Sequence, residues 1–199
     1  NIWSIAPTGT LEIDSRFSIK ADAGFNQQAL NRFSGELIND AASVAILRQE
    51  LYSAALDYKA GNFHASVKGE HRDLTYKALI LLDGTRRDQS ALDHTVDAAT
   101  GHADYSFSPD LVVFADVAWS KYDFAPSATT TFRNSASSGV KVEGGVRISA
   151  AGLGRATVAT SYAWRDYDTP GIESVKGASA MALLEFFPSA LTTVSFELG

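Results

Sequence analysis

From Val140 to Arg165 the chain alternates apolar and polar residues on both sides of Ala151-Gly152-Leu153-Gly154. On the first side Val140, Val142, Gly144, Val146, Ile148 and Ala150 share one parity; Lys141, Glu143, Arg147 and Ser149 share the other. On the second side Ala156, Val158, Thr160, Tyr162 and Trp164 alternate with Arg155, Thr157, Ser161 and Arg165. Successive side chains of a strand point to opposite faces, so each arm has one apolar and one hydrophilic face. Glycines at the centre suit a tight hairpin, and folding about Gly152 puts both charged faces on one side. Soluble sandwiches also alternate in this way, so what constrains the fold is how often the pattern recurs.

It recurs along most of the chain. Leu11 to Phe25 reads as one strand, with Leu11, Ile13, Phe17 and Ile19 opposite Glu12, Asp14, Arg16 and Lys20. Asn1 to Ala6 reads as a strand tail and Pro7-Thr8-Gly9 as a turn. Asn26 to Ser43 reads as a loop. Val44 to Lys59 carries a helical stripe (Val44, Leu47, Leu51, Ala55, Tyr58), but the turn at Ala60-Gly61-Asn62 and the alternating segment after it assign it to a strand. Further strands are expected from about His94 to Phe107, Leu111 to Phe124, Val175 to Phe187 and Leu191 to Leu198.

The connections between them are asymmetric. Tight turns fall near residues 8, 61, 109, 152 and 188, and longer polar excursions separate them, so tight and long connections take turns along the chain. Outer-membrane barrels have short periplasmic turns and long outer loops, whereas sandwiches mix lengths at both ends. Tyr58, Phe63, Tyr105, Phe107 and Phe187 lie near the tight turns; Tyr122, Tyr162 and Trp164 lie toward the long loops. Two aromatic girdles at opposite strand ends fit two membrane interfaces. The expected fold is an all-β, antiparallel, up-and-down transmembrane β-barrel: one domain over residues 1–199, about ten strands of a larger barrel of roughly 12 to 16.

Composition sets limits on function. The 199 residues carry a net charge of −6, with scattered Lys and Arg, so no nucleic-acid surface is expected. No cysteine is present, which excludes disulfides and thiolate metal sites. The apolar runs are too short for a membrane helix.

Catalytic and metal constellations are weak. Asp93 and His94 are adjacent and should diverge on a strand, and His102 near Asp104 reads as polar rim. His64 and His71 differ by an odd number and should face opposite sides, a poor basis for a shared metal. Ser161 has no recognisable triad, and Gly152-Leu153-Gly154 has no following helix to make a phosphate loop. No catalytic residue, cofactor or metal is expected. The residues with functional content are the charges on the polar parity: Glu12, Asp14, Arg16, Lys20, Lys68, Glu70, Lys141, Glu143, Arg147, Arg155 and Arg165. In a membrane barrel they line the lumen, because Arg or Lys facing lipid costs about 2–4 kcal/mol at the midplane.

Tyr105-Ser106-Phe107-Ser108-Pro109 leading into Val113-Phe114, then Tyr122-Asp123, Arg133-Asn134-Ser135, Gly139 to Gly145, Tyr162 to Tyr167 and Phe187-Pro188-Ser189-Ala190-Leu191-Thr192-Thr193 resemble segments of the type 2 β-barrel porins of Gram-negative bacteria. Gly69-Glu70-His71-Arg72 resembles a Glu-x-Arg step of the same family, while Phe187 stands where a Trp is usual. The resemblance implies a bacterial outer-membrane location, contact with the lipid bilayer and lipopolysaccharide, and association with exopolysaccharide export or surface assembly. The expected function is a charge-lined conduit for small polar solutes or saccharide. The alternatives are a plugged structural barrel acting through its loops and outer-membrane protein partners, a rim enzyme, and a soluble lectin sandwich.

Overall fold

The computed structural model describes residues 2–29, 43–125, 135–150, 152–189 and 192–199. Residues 30–42 of the loop expected from Asn26 to Ser43, and 126–134 of the one expected from Ala125 to Ser138, lie outside these residues. The strands are β1 (Trp3–Ile5), β2 (Thr8–Glu12), β3 (Phe17–Ala29), β4 (Ile46–Ala60), β5 (Phe63–Tyr76), β6 (Leu79–Ile80), β7 (Arg86–Arg87), β8 (His94–Ser108), β9 (Leu111–Phe124), β10 (Ser137–Ala150), β11 (Gly154–Tyr167), β12 (Val175–Ser189) and β13 (Thr192–Leu198). All but β6 and β7 form one antiparallel sheet in which neighbours in sequence are neighbours in space, the up-and-down order. Residues 44–59 fall almost wholly in β4: cross-strand pairing along both edges outweighs the helical stripe. The loop expectation fails at 26–29, which extend β3 by pairing with 46–49, and at Ser137 and Ser138, which begin β10 opposite Tyr122 and Lys121.

The amino-terminal expectation needs correction. Pro7-Thr8-Gly9 is no turn, because β1 and β2 both pair with β3 in one unbroken register, Ile5 opposite Phe25 and Thr8 opposite Asp22. Pro7 has no N–H to give the ladder, which interrupts the strand, yet its carbonyl still accepts from the Ala23 N–H at 3.0 Å. The turn lies instead at 13–16, where Asp14 Oδ1 accepts from the N–H groups of Arg16 and Phe17 at 2.7 and 2.9 Å. Those two donors hold the Asp14 carboxyl below its ordinary range. Leu11 to Phe25 is therefore a hairpin, and Leu11 pairs with Ile19 so that apolar parity runs through the turn in phase.

Strand pairs joined by few residues (β2–β3, β4–β5, β8–β9, β10–β11, β12–β13) meet at one end of the sheet, and pairs joined by many (β3–β4, β5–β8, β9–β10, β11–β12) at the other. The turn expected near residue 188 is corrected, since β12 runs on through an irregularity after Phe186 to Ser189, which pairs with Thr192. Gly152 turns the β10–β11 hairpin with φ +72°, a conformation that L side chains rarely adopt. Pairing is symmetric about it, with Arg147 opposite Thr157 and Ser149 opposite Arg155.

Buried apolar side chains are few among the described residues: Ala45, Leu47, Leu79, Val96, Phe114 and Ala159. Large apolar residues point outward instead, with Val67 60%, Val158 59% and Phe196 62% exposed. A water-soluble protein would not leave such a face bare. Gly145 shows how tightly the opposite face packs in places: a Cβ there would come 2.5 Å from Phe114 Cζ and 2.6 Å from the Val158 carbonyl oxygen. Gly145→Ala is expected to cost about 1–3 kcal/mol by overpacking, read as a lower urea midpoint for protein folded in lipid vesicles.

Candidate functional site

Register assigns each side chain to a face, since directly paired residues point the same way. One face carries Ile19, Leu56, Val67, Gly101, Val117, Val142 and Tyr162 on successive strands, and is apolar over its middle. The other carries Lys20 and Asp22, Lys68 and Glu70, Asp116, Lys141, Glu143 and Arg147, Arg155 and Arg165. Glu12, opposite Ser18, continues this polar face at the short-turn end. Asp14 and Arg16 belong to the turn itself and not to the sheet wall.

Basic side chains on the polar face are held against the wall by neighbours. Lys68 and Arg72 both pair with Glu70, the former at 2.8 Å, and Lys141 pairs with Glu143 at 2.7 Å. Arg155 reaches Glu185 across the sheet at 3.0 Å. Arg147 and Arg155 are diagonal neighbours in register, but Arg147 lies over the Phe114 ring, 5.6 Å from its centroid. Arg165 lies over Tyr122 at 5.0 Å and donates to Ser120 Oγ (2.7 Å) and Ser137 Oγ (3.0 Å). Small residues leave space between these chains: a concavity of about 730 Å³ is lined by Ala98, Ala118, Gly139, Ala163 and Gly177 together with Lys141 and Arg165.

The aromatic residues divide in the same way. Tyr58, Phe63 and Tyr105 sit on the apolar face near the short turns; Phe17 packs tilted against Tyr58 at 4.6 Å, and Phe107 meets Tyr105 edge-on at 4.9 Å. Tyr162 and Trp164, 6.0 Å apart, sit on that face toward the long loops. Tyr122 does not: it pairs with Val96 and Ser137 on the polar face, beneath Arg165. A bulge between Ser106 and Ser108 shifts the β8–β9 register; Val112, Phe114 and Tyr122 share the polar parity of β9. Phe186, 47% exposed and level with Gly154, continues the apolar face where Phe187 was expected, because Phe187 takes the alternate parity.

Asp93 and His94 diverge. Asp93 Oδ1 accepts from the Tyr76 N–H at 2.6 Å, while His94 Nδ1 turns to the Leu92 carbonyl and its ring stacks on Phe124 at 4.7 Å. Burial, reinforced by Asp88 and Asp73, pushes the Asp93 carboxyl up from its ordinary value. A raised carboxyl binds its proton more readily in the folded state, so its contribution to stability is lost as pH rises through the folded value. Asp93→Asn keeps an acceptor for Tyr76 and removes the partly buried charge; it is expected to raise the urea midpoint slightly at pH 7 and leave it unchanged well below the carboxylate range. Ser161 bonds Ser179 Oγ at 2.8 Å, a packing contact.

Sequence reasoning missed a cluster at the short-turn end of the polar face. His64 Nδ1 and His102 Nε2 each lie 2.9 Å from Asp104 Oδ2. Asp116 Oδ1 is 2.7 Å from His102 Nδ1, and Asp57 Oδ1 is 3.6 Å from His64 Nε2. His71 lies on the opposite face against Asp97, as the odd spacing predicted. Polar parity at 64, 102, 104 and 116 was the available signal, but the β5–β8 register depends on a connection that folds its own small hairpin, β6–β7.

Comparison with known proteins agrees with this architecture. The chain is similar to two solved structures of OmpT from Vibrio cholerae. The first, an in-vitro folded outer membrane protein, has 14% identity and a TM-score of 0.57, covering 91% of this chain and 52% of that one. The second, the outer-membrane expressed form, has 17% identity and a TM-score of 0.56, covering 89% and 53%. The chain thus spans about half the length of the solved structures it matches, and at these identities the likeness concerns the fold. No curated protein matches it. The model of the family described as Putative beta-barrel porin 2 matches residues 1–199. The chain belongs to that family of bacterial outer-membrane β-barrels.

Proposed function

We propose that the polar face lines an aqueous lumen and that the barrel conducts small polar solutes, saccharides among them, across the outer membrane. The observation that carries this reading is the concavity of about 730 Å³ beside basic chains tied down along the wall. Lys chains tied to carboxylates of their own strands and Arg chains laid over neighbouring strands stay along the wall, and small residues between them leave room for solute. In this reading Glu12, Lys20, Lys68, Glu70, Lys141, Glu143, Arg147, Arg155 and Arg165 are lumen residues. Tyr58, Phe63, Tyr105, Phe107, Tyr162 and Trp164 form the two girdles, and lipopolysaccharide meets the outer one. The complete lumen, of which this chain supplies part of the wall, belongs to the full-length protein.

Stable single-channel conductance of the purified full-length protein in a planar bilayer, with uptake of small sugars by proteoliposomes, is the expected result. A heat-modifiable barrel that inserts but stays silent would favour the second reading, a plugged scaffold acting through its outer loops. The strands' long-loop ends favour considering it, since Asp97, Lys121 and Asp123 there carry hydrogen bonds or ion pairs on the otherwise apolar face.

A further inference from the structure

We propose that His64, His102 and Asp104 form a binding site for a divalent transition-metal ion of the zinc class, with Asp116 and Asp57 as its outer shell. The ligand atoms of the three residues all lie within 4.8 Å of one another. Neighbouring ligands of a tetrahedral ion with bonds of about 2.0–2.1 Å are roughly 3.3–3.4 Å apart, so small rotations of these side chains supply three ligands and leave the fourth position to solvent. Two imidazole nitrogens and one carboxylate oxygen form a donor set suited to zinc and its neighbours and unsuited to calcium or magnesium, which take oxygen shells.

The surrounding carboxylates argue for a metal more strongly than the three donors alone. Each imidazole turns one nitrogen toward the shared Asp104 oxygen and the other toward a separate aspartate: His102 toward Asp116 at 2.7 Å, His64 toward Asp57 at 3.6 Å. His102 can give its Nδ1–H to Asp116, while Asp57 faces His64 Nε2 more loosely. The remaining nitrogens, His64 Nδ1 and His102 Nε2, both converge on Asp104 Oδ2 at 2.9 Å and, when unprotonated, bring two lone pairs to the side of that oxygen. A cation at that point satisfies all three. Metal-ligating histidines are commonly oriented by just such carboxylates. The cluster spans four adjacent strands, β4 (Asp57), β5 (His64), β8 (His102, Asp104) and β9 (Asp116), and both histidine side chains are about a third exposed on the polar face, with 31% each. The alternation argument that separated His64 from His71 looked along one strand; the site forms across several.

Calorimetric titration of the detergent-extracted full-length protein with zinc chloride tests the site whether or not the barrel conducts, so failure of either proposal leaves the other standing. One zinc ion per chain is expected, with no comparable uptake of calcium or magnesium. His64→Ala and His102→Ala should each abolish stoichiometric binding, and Asp116→Asn should weaken it by about 10–100-fold. His71→Ala and His94→Ala should leave it unchanged. Heat-modifiable migration reports the fold of each variant. Cobalt in place of zinc in the wild-type protein should give the visible bands of a nitrogen-ligated tetrahedral ion, a readout independent of any variant. Absence of zinc uptake and cobalt bands in the wild type, or uptake that survives both histidine substitutions, would overturn the proposal.

Discussion

Val142→Arg is expected to lower the stability of the protein in lipid vesicles by about 2–4 kcal/mol. Val142 lies midway along β10, between Val117 and Tyr162 on the apolar face, and is 41% exposed. An exposed guanidinium there has neither water nor a counter-charge at its level of the sheet. The cost should fall to about 0–1 kcal/mol for Ile148→Arg, closer to the short-turn interface. Thr100→Arg, on the polar face of β8 beside Lys68 and Ala118, should stay within about 0.5 kcal/mol. Urea unfolding from vesicles of one lipid composition reads all three. Equal costs at Val142 and Thr100 would show that the two faces are not distinguished by lipid.

Arg147→Glu combined with Arg155→Glu is expected to shift the ion selectivity of the conducting protein several-fold toward cations. Each reversal changes the wall by two charge units, and neither residue is deeply buried: one rests over Phe114 and the other pairs with Glu185. The shift should be largest near 0.1 M salt and small at 1 M, where the screening length falls from about 10 Å to about 3 Å. Reversal potentials across a planar bilayer under a salt gradient measure it. Conductance with unaltered selectivity would remove these residues from the lumen wall.

Much of this was legible in the sequence, for a definite reason. A strand's period of two turns every alternating run into two faces, and a tight turn centred on a glycine fixes the register of the hairpin behind it. The β10–β11 pairing about Gly152 follows from these rules alone. Where an irregularity intervenes, the rules miscount. Pro7 interrupts a strand without turning it, and the 13–16 turn preserves parity and so hides inside an apparently continuous strand. Nearness to a long loop points to a girdle for Tyr122, but the residue shares the parity of Val112 and Phe114 and therefore lies on the polar face. The histidine cluster illustrates a different limit. Its residues lie on the right parity, but partners across β5 and β8 depend on the register set by residues 77–93, and loop length does not encode that register.

The central claim is that the polar face meets water while the apolar face meets lipid. These 199 residues contain no cysteine, so in a full-length protein freed of any cysteine elsewhere, cysteines introduced here report their own positions. Single cysteines would be placed at 140, 141, 142, 143, 146 and 147 of β10 in the full-length protein reconstituted in vesicles, then exposed to a membrane-impermeant maleimide. Labelling is predicted at Lys141→Cys, Glu143→Cys and Arg147→Cys and protection at Val140→Cys, Val142→Cys and Val146→Cys. Uniform labelling, or labelling of the opposite parity, would contradict the account.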